Sequence, residues 1–315
     1  MRTLPHLLGL AVLALSSGAV FAQTNYPLTL DNCGFEVTLA AAPKRVLTIK
    51  STATEMLLAL GLGDRIAGVG FQDGPAPEPW TAAAAALHVV SDKLPSQEAA
   101  LEVEPDFIYG GWESNFAADG VGERPTLAAL GVAGYVSPAA CRSIKPAKLT
   151  FDDVFAQIGE MGTIFDAAPA AEALVAEQKA ALAAVSPDAR GLTALWYSSG
   201  TKAPYVGAGS GAPQMMLEAL GLDNIMADVD DGWVAASWEA VVDANPDVIV
   251  LVDATWNSAE QKKKLLAENP ITSQLDAVIN QRYLIIPFPA SEAGVRNVGA
   301  TVDMAAQLSG LSFAP

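Results

Sequence analysis

Histidine is almost absent from this chain, which has 315 residues but only two histidines and two cysteines. His6 lies in an N-terminal leader, so His88 is expected to be the one histidine of the mature protein. Capture of a bare zinc or manganese ion needs several such ligands, and a nucleophilic serine or cysteine needs a nearby base. The sequence therefore predicts no metal-binding residue, no cofactor and no catalytic residue, although a ferric site made of tyrosine and aspartate stays open.

Basic residues are also scarce. The 18 lysines and arginines stand against 35 aspartates and glutamates, which gives a formal net charge of −17 at pH 7. Binding to nucleic acid depends on clustered lysine and arginine side chains that neutralise phosphates. The charge therefore argues against a nucleic-acid partner, and its simplest interpretation is solubility.

The chain has no apolar run of membrane-spanning length after its N-terminus. The leader has the features of a secretory signal, with Arg2 as a positive start, a short apolar core from Leu7 to Leu15, and small residues at Val20 and Ala22. We expect export and cleavage after Ala22. No cysteine lies at this junction, so a bacterial lipid anchor is not expected.

The two cysteines are Cys33 and Cys141. In an exported protein an even number of cysteines favours a disulfide. Such a bridge would close a long loop and tie an N-terminal hairpin to the end of the first lobe. The alternative is two buried free thiols.

One pattern occurs twice in the sequence. Glu98 lies seven residues ahead of the segment Pro105–Ile108, and Glu239 lies seven residues ahead of the segment Pro246–Ile249. Each copy is typical of a short helix, a Pro-Asp turn and an apolar strand. A repeat of this kind predicts two similar α/β lobes, and the cleft between two lobes is a favoured place for a small ligand.

The spacing of strands and helices predicts an N-terminal α/β lobe over residues 23–148 and a C-terminal α/β lobe over residues 187–315. Between them, residues 149–186 have helical periodicity and predict a single long helix that joins the lobes. Pro169 indicates a break or a fresh first turn in this stretch. The alternative is two ordinary helices that belong to the second lobe.

The order of motifs along the mature chain resembles one family. A Leu-Thr-Leu-Asp-x-x-Gly-x-x-Val hairpin starts at Leu28 and is followed by Pro43–Val46, by Thr52–Gly61, and by the two copies of the repeat. This order is similar to that of the periplasmic substrate-binding proteins of ABC importers for iron–siderophore, haem and cobalamin. The resemblance implies a monomer with two Rossmann-like lobes, a rigid connecting helix and a ligand cleft.

The resemblance also implies partners for the protein. They are a small-molecule ligand and the ABC permease and ATPase subunits at the inner membrane. One surface glutamate on each lobe of these proteins docks onto permease arginines, and the matching residues are Glu98 and Glu239. The alternative is that both are ordinary exposed or helix-capping glutamates.

Five residues are candidates for ligand contact. Trp112 and Trp233 are similar in placement to tryptophans that line the corrinoid site of cobalamin-binding relatives, and Tyr197 falls at a strand end where those relatives also place an aromatic residue. Arg296 resembles an arginine that siderophore-binding relatives place near anionic ligands, whereas Lys50 is chosen by position alone. The alternatives are core packing for the aromatic residues and surface ion pairs for the two cations.

The cargo has two interpretations. A metal chelate such as a ferric siderophore or a corrinoid is the first. The segments 49–55, 195–200 and 292–297 also look close to a subgroup for import of a deazaflavin coenzyme precursor. A third interpretation, an exported α/β enzyme, would use the segment 207–211, but Gly-x-Gly-x-Gly does not match a dinucleotide-binding or serine-nucleophile motif. We therefore do not expect an enzyme.

Overall fold

Two α/β lobes, each built around a β-sheet, make up the computed structural model, which describes residues 23–313. The predicted signal peptide and its cleavage after Ala22 lie outside the described residues. Within residues 23–313 no helix combines the length and the apolarity needed to cross a bilayer.

The bounds of the elements are as follows. The strands are β1 (Leu28–Asn32), β2 (Phe35–Leu39), β3 (Val46–Ile49), β4 (Ile66–Gly70), β5 (Val89–Ser91), β6 (Phe107–Gly110), β7 (Ala133–Val136), β8 (Thr193–Ser199), β9 (Tyr205–Gly207), β10 (Asp223–Asn224), β11 (Trp233–Ala235), β12 (Val248–Asp253) and β13 (Tyr283–Pro287). The helices are α1 (Ser51–Ala59), α2 (Thr81–Ala85), α3 (Gln97–Glu102), α4 (Arg124–Ala129), α5 (Phe151–Ile164), α6 (Ala168–Ala183), α7 (Ala212–Leu220), α8 (Trp238–Ala244), α9 (Ala259–Glu268), α10 (Asp276–Ile279), α11 (Phe288–Ser291) and α12 (Asn297–Ser309).

The sheet of the first lobe has the strand order β5-β4-β3-β6-β7, and all of its pairs are parallel. The chain builds outward from β3 on one side and then continues on the other side with β6. This reversal leaves a crevice at the carboxyl ends of β3 and β6, which is where open α/β sheets bind ligands. Lys50 follows β3, and Trp112 lies two residues after the end of β6.

The sheet of the second lobe has the path β11-β9-β8-β12-β13, with β10 paired to the start of β8. The strands β10, β8, β12 and β13 are parallel, whereas β9 and β11 are antiparallel to their neighbours. The buried strand β12 lies between β8 and β13, so its Val and Ile side chains pack on both faces.

The repeated Pro-Asp turn has the same structural role in both lobes. The carboxylate of Asp106 accepts the backbone N–H groups of Lys44 and Arg45 at 2.8 and 3.0 Å, just before β3 begins. The carboxylate of Asp247 accepts the backbone N–H of Thr193 at 2.9 Å, where β8 begins. Each aspartate therefore ties the start of one central strand to the start of its neighbour, and the prediction of two similar α/β lobes is confirmed.

The prediction of a single long helix over residues 149–186 is wrong. The stretch contains two helices, α5 and α6, and the break between them is a Schellman turn. Asp166 adopts a left-handed conformation with φ +54°, and the Ala167 N–H donates to the Gly162 carbonyl at 2.7 Å. Pro169 then occupies the first turn of α6, where a missing N–H is harmless.

The two helices run antiparallel and contact both lobes. At the start of α5 the Leu149 N–H donates to the Ser210 carbonyl of the second lobe at 2.8 Å. Near its middle the Gln157 amide donates to the Tyr109 hydroxyl of the first lobe at 2.7 Å. The helix α6 returns along α5 and packs against α12 of the second lobe. The connection between the lobes is therefore a helical hairpin rather than one long helix.

A disulfide joins Cys33 and Cys141, as the cysteine count predicted. Their Cα atoms are 5.3 Å apart, and both side chains are buried. The bridge connects the turn between β1 and β2 to the segment that follows β7. This segment forms part of the wall of the cleft described below, so the disulfide anchors that wall to the first lobe.

Removal of this disulfide is expected to destabilise the protein. The bonded residues are 108 positions apart, so the bridge restricts a long loop in the unfolded chain. The Cys33→Ser/Cys141→Ser double variant should lose about 2–5 kcal/mol of the free energy of unfolding. Urea unfolding under oxidising conditions measures the difference, and an unchanged midpoint and slope would contradict it.

Candidate ligand cleft between the lobes

A cleft of about 400 Å³ lies between the lobes. Its first wall consists of Thr52, Gly111 and parts of the segment 137–149, and its second wall consists of the segments 210–212, 230–233 and 291–293. The volume falls in the range of small-molecule sites. Because both lobes contribute to the lining, a ligand in this cleft would contact the two lobes at once.

An aromatic pair includes one residue of the second wall, Trp233. The rings of Tyr205 and Trp233 are stacked, with centroids 5.9 Å apart and an interplanar angle of 12°. The antiparallel pairing of β9 with β11 brings the two residues to the same face of the sheet. Trp233 lines the cleft, and the side chain of Tyr205 is 40% exposed. The pair offers a flat apolar surface for a ligand.

Two basic residues of the first wall, Arg142 and Lys145, were missed from the sequence. Lys145 forms an ion pair with Asp230 of the opposite wall, and both side chains are exposed. Such an exposed pair contributes little to stability. The signal that could have found them is the location of two cations close to Cys141, in the irregular Pro138–Pro146 segment of an otherwise acidic chain.

Trp112 connects the lobes beside the cleft. Its indole Nε1–H donates to Oε2 of Glu292 at 2.9 Å, and Glu292 itself lines the cleft. Desolvation raises the pKa of the Glu292 carboxyl, and the hydrogen bond from Trp112 opposes this rise. Trp112 therefore holds a carboxylate of the second lobe at the edge of the cleft.

Lys50 is 2% exposed and forms a buried ion pair with Asp73. Its Nζ lies 3.6 Å from the centroid of the Trp112 ring and 4.2 Å from that of Phe71. Phe288 of the second lobe approaches the same Nζ at 5.5 Å. Desolvation lowers the pKa of Lys50, and the Asp73 carboxylate opposes this effect. In this conformation the charge of Lys50 is neutralised inside the protein.

Arg296 forms a second ion pair, and this one joins the two lobes. Its Nε lies 3.2 Å from Oε2 of Glu55 on α1, and the Glu55 side chain is 2% exposed. Burial raises the pKa of Glu55 from 4.5 to about 7, although the guanidinium opposes the shift. Desolvation of this pair therefore outweighs its attraction.

Tyr197 lies in the core of the second lobe. The hydroxyl donates to the Gly200 carbonyl at 2.8 Å, and the ring packs edge-to-face on Trp238. Of the five residues predicted to contact a ligand, Trp233 lines the cleft, Lys50, Trp112 and Arg296 lie at the contact between the lobes, and Tyr197 is a packing residue. Ligand contact by these residues stays a prediction.

Glu98 and Glu239 occupy equivalent positions. Each is exposed in the first turn of its helix, α3 or α8. The helix caps are also equivalent, because Ser96 accepts the Ala99 N–H at 3.3 Å and Ser237 accepts the Ala240 N–H at 3.1 Å. The serines rather than the glutamates provide the side-chain caps, so both carboxylates are left for another partner. Their role in docking stays a prediction.

Two lobes with a ligand-sized cleft between them, lined from both sides, define the class of bilobal ligand-binding proteins. The chain belongs to the periplasmic binding protein family, whose model matches residues 46–290. It is 25% identical over 301 residues to the ABC transporter substrate-binding lipoprotein YvrC of Bacillus subtilis strain 168, and the match covers 89% of this chain and 85% of that protein.

Two solved structures share the whole fold. A periplasmic binding protein from Veillonella parvula is 27% identical with a TM-score of 0.80, and the match covers 91% of this chain and 98% of that one. An ABC-type Fe3+-hydroxamate transport system protein from Saccharomonospora viridis is 26% identical with a TM-score of 0.80, and covers 91% and 100%. The predicted resemblance is thus confirmed, and the protein is a substrate-binding protein of an ABC transporter rather than an enzyme.

The raised pKa of Glu55 predicts a pH dependence of stability. Between pH 4.5 and pH 7 the folded state holds a proton on Glu55 that the unfolded state has lost, so the free energy of unfolding falls as the pH rises. The loss from this group is roughly 3 kcal/mol. We expect Glu55→Gln to remove that part of the slope in urea unfolding at about pH 5 and about pH 8. Parallel slopes for both proteins would contradict this expectation.

Proposed function

We propose that the mature protein, cleaved after Ala22, is a periplasmic monomer that captures a metal chelate such as a ferric siderophore for an ABC permease and its ATPase. The observation that carries this proposal is the cleft between the lobes, where Trp233, stacked on Tyr205, lines a wall that faces one from the other lobe. The similarity to the Fe3+-hydroxamate transport protein supports the same class of cargo.

The chemistry of the cleft suits a preformed chelate. A chelate brings its own metal ligands, so its binding site needs apolar surface and polar groups rather than metal-ligating side chains. Trp233 supplies the flat surface, and Glu292 and Arg142 supply charged groups at its edge. Direct contact by Lys50 would require a buried ion pair to open.

A corrinoid or a deazaflavin coenzyme precursor is the second candidate cargo. The near-parallel rings of Tyr205 and Trp233 favour it, because planar conjugated ligands stack on such a surface. Both classes of cargo would contact Trp233, so the wall of the cleft does not choose between them. A titration with ligands of each class identifies the cargo.

Truncation of Trp233 should weaken ligand binding. Wild-type protein is titrated with a ferric hydroxamate, a ferric catecholate, cobalamin and a deazaflavin phosphate, with intrinsic fluorescence and calorimetry as readouts. For the ligand that binds, Trp233→Ala should raise the Kd roughly three- to tenfold through lost stacking.

The matched control is Trp256→Ala. Trp256 is 59% exposed, packs on Phe288 and is not part of the cleft lining. Its truncation should leave the Kd unchanged. Failure of all four classes to bind would refute the proposed cargo, and equal Kd values for wild type and Trp233→Ala would refute the site.

We also propose that Glu98 and Glu239 dock the two lobes onto basic residues of the permease. Their support is the equivalent exposed placement in α3 and α8 and the serine caps that leave both carboxylates unused by the helices. Two carboxylates placed in this way would orient the binding protein and speed its association with the permease.

The docking proposal predicts a separation of transport from binding. Glu98→Ala and Glu239→Ala should each reduce ligand uptake by cells that carry the variant, and the double variant should abolish most of it, while the Kd for ligand stays that of wild type. Glu102→Ala and Asp243→Ala, which change exposed acidic residues one turn further along the same helices, are the controls. Normal uptake by the double variant would contradict docking through these residues.

A further inference from the structure

The cations near the cleft are mostly neutralised by carboxylates of the protein itself. The pairs are Lys50 with Asp73, Arg296 with Glu55, and Lys145 with Asp230. The Lys50–Asp73 pair is buried, so a ligand anion could recruit Lys50 only by leaving a buried carboxylate without its partner, which is strongly unfavourable. The Arg296 side chain is only 11% exposed and does not line the cleft. The charge that a ligand meets is therefore set by the remaining groups.

The remaining charged groups of the lining are Arg142, Asp231 and Glu292. In the part of the chain that the structure describes, Arg142 makes no ion pair. The Oε2 atom of Glu292 accepts the Trp112 indole N–H, and no hydrogen bond to its Oε1 atom is found within residues 23–313. Among these remaining groups of the cleft, two are carboxylates, Asp231 and Glu292, and one is a cation, Arg142.

These three charged groups line the same cleft as Trp233 of the aromatic pair. Burial raises the pKa of Tyr205, Arg142 opposes this rise, and both Asp231 and Glu292 add to it. All three charged groups therefore lie within electrostatic range of the Tyr205 phenol. The face of an aromatic ring attracts a cation, and a carboxylate beside the ring strengthens that attraction. Trp233, Tyr205 and Glu292 together have the chemistry of a site for an organic cation.

We propose that the cleft selects a metal chelate that carries a positive charge, and that Glu292 is the residue that determines this specificity. The inference rests on the proposed function and narrows the class of its cargo. In the complex, the cationic group of the chelate lies on the aromatic surface of Trp233, and the carboxylate of Glu292 accepts its hydrogen bond. Trp112 fixes that carboxylate in position from the other lobe.

The same charges disfavour polyanionic chelates. A ferric tris-catecholate carries three negative charges and would meet two carboxylates and one guanidinium in a protein of net charge −17. Repulsion between like charges lowers both the affinity and the association rate, whereas a cation gains from the same field. The charge of the cleft therefore favours a cationic ferric chelate over a ferric tris-catecholate.

The test uses one chelate in three charge states. Ferric desferrioxamine B has a protonated terminal amine, its N-acetyl derivative is neutral, and its N-succinyl derivative is an anion. Affinities for the mature protein are measured by calorimetry at neutral pH. We expect the cation to bind roughly tenfold more tightly than the neutral form and the anion to bind most weakly.

Two variants locate the origin of this preference. Glu292→Gln keeps the size and the acceptor for Trp112 but removes the charge, so it should bring the affinity for the cation close to that for the neutral form. Asp231→Asn changes an exposed residue and should reduce the preference for the cationic chelate in part. It tests the proposal even if the Glu292→Gln variant does not fold. Glu102→Gln on α3 lies outside the cleft lining and should leave the ratio of affinities unchanged.

The outcomes are distinguishable. Equal affinities for the three forms, or tighter binding of the anion, would overturn the proposed selectivity while leaving the ferric-chelate cargo in place. A wild-type ratio of affinities in Glu292→Gln would overturn the role of that residue. Binding of none of the three forms, together with binding of a corrinoid or deazaflavin, would refute the ferric-chelate cargo itself.

Discussion

A charged side chain that leaves water needs a partner of opposite charge, and this constraint governs how the two lobes meet. Lys50 and Arg296 are both buried at or beside the contact between the lobes, and each is matched by a carboxylate. Aromatic rings from both lobes surround the Lys50 ammonium. The Arg296–Glu55 pair joins the two lobes and so holds together the walls on which the cleft depends, whereas the Lys50–Asp73 pair lies within the first lobe.

Because these cations are paired with carboxyl groups of the protein itself, other groups are left to contact a ligand. Neither Lys50 nor Arg296 lines the cleft, and each lies beside a carboxyl group of the first lobe. With both neutralised, the cleft is left with an aromatic surface, two carboxylates and the guanidinium of Arg142. We propose that a site of this composition binds its ligand through stacking and through selection of charge.

Much of the architecture follows from local signals. The repeated Pro-Asp turn predicted two similar lobes because each aspartate accepts backbone N–H groups where a central strand begins, and this interaction needs only short-range sequence. The cysteine count predicted the disulfide for a reason that does not depend on packing. The structure of the connecting segment was harder to predict from the sequence. Helical periodicity persists through Asp166, and the left-handed turn there depends on how α5 and α6 pack.

The sequence by itself determined the α/β class, the two lobes, the family, and the identity of several residues around the cleft. It did not determine which of those residues face a ligand. Lys50, Arg296 and Trp233 are all polar or aromatic residues in loops and strands beside the cleft, and local patterns do not distinguish them. Only the tertiary structure decided where each of them lies, because Asp73 and Glu55 of the first lobe pair with the two cations, whereas Trp233 stacks on Tyr205 and lines the cleft.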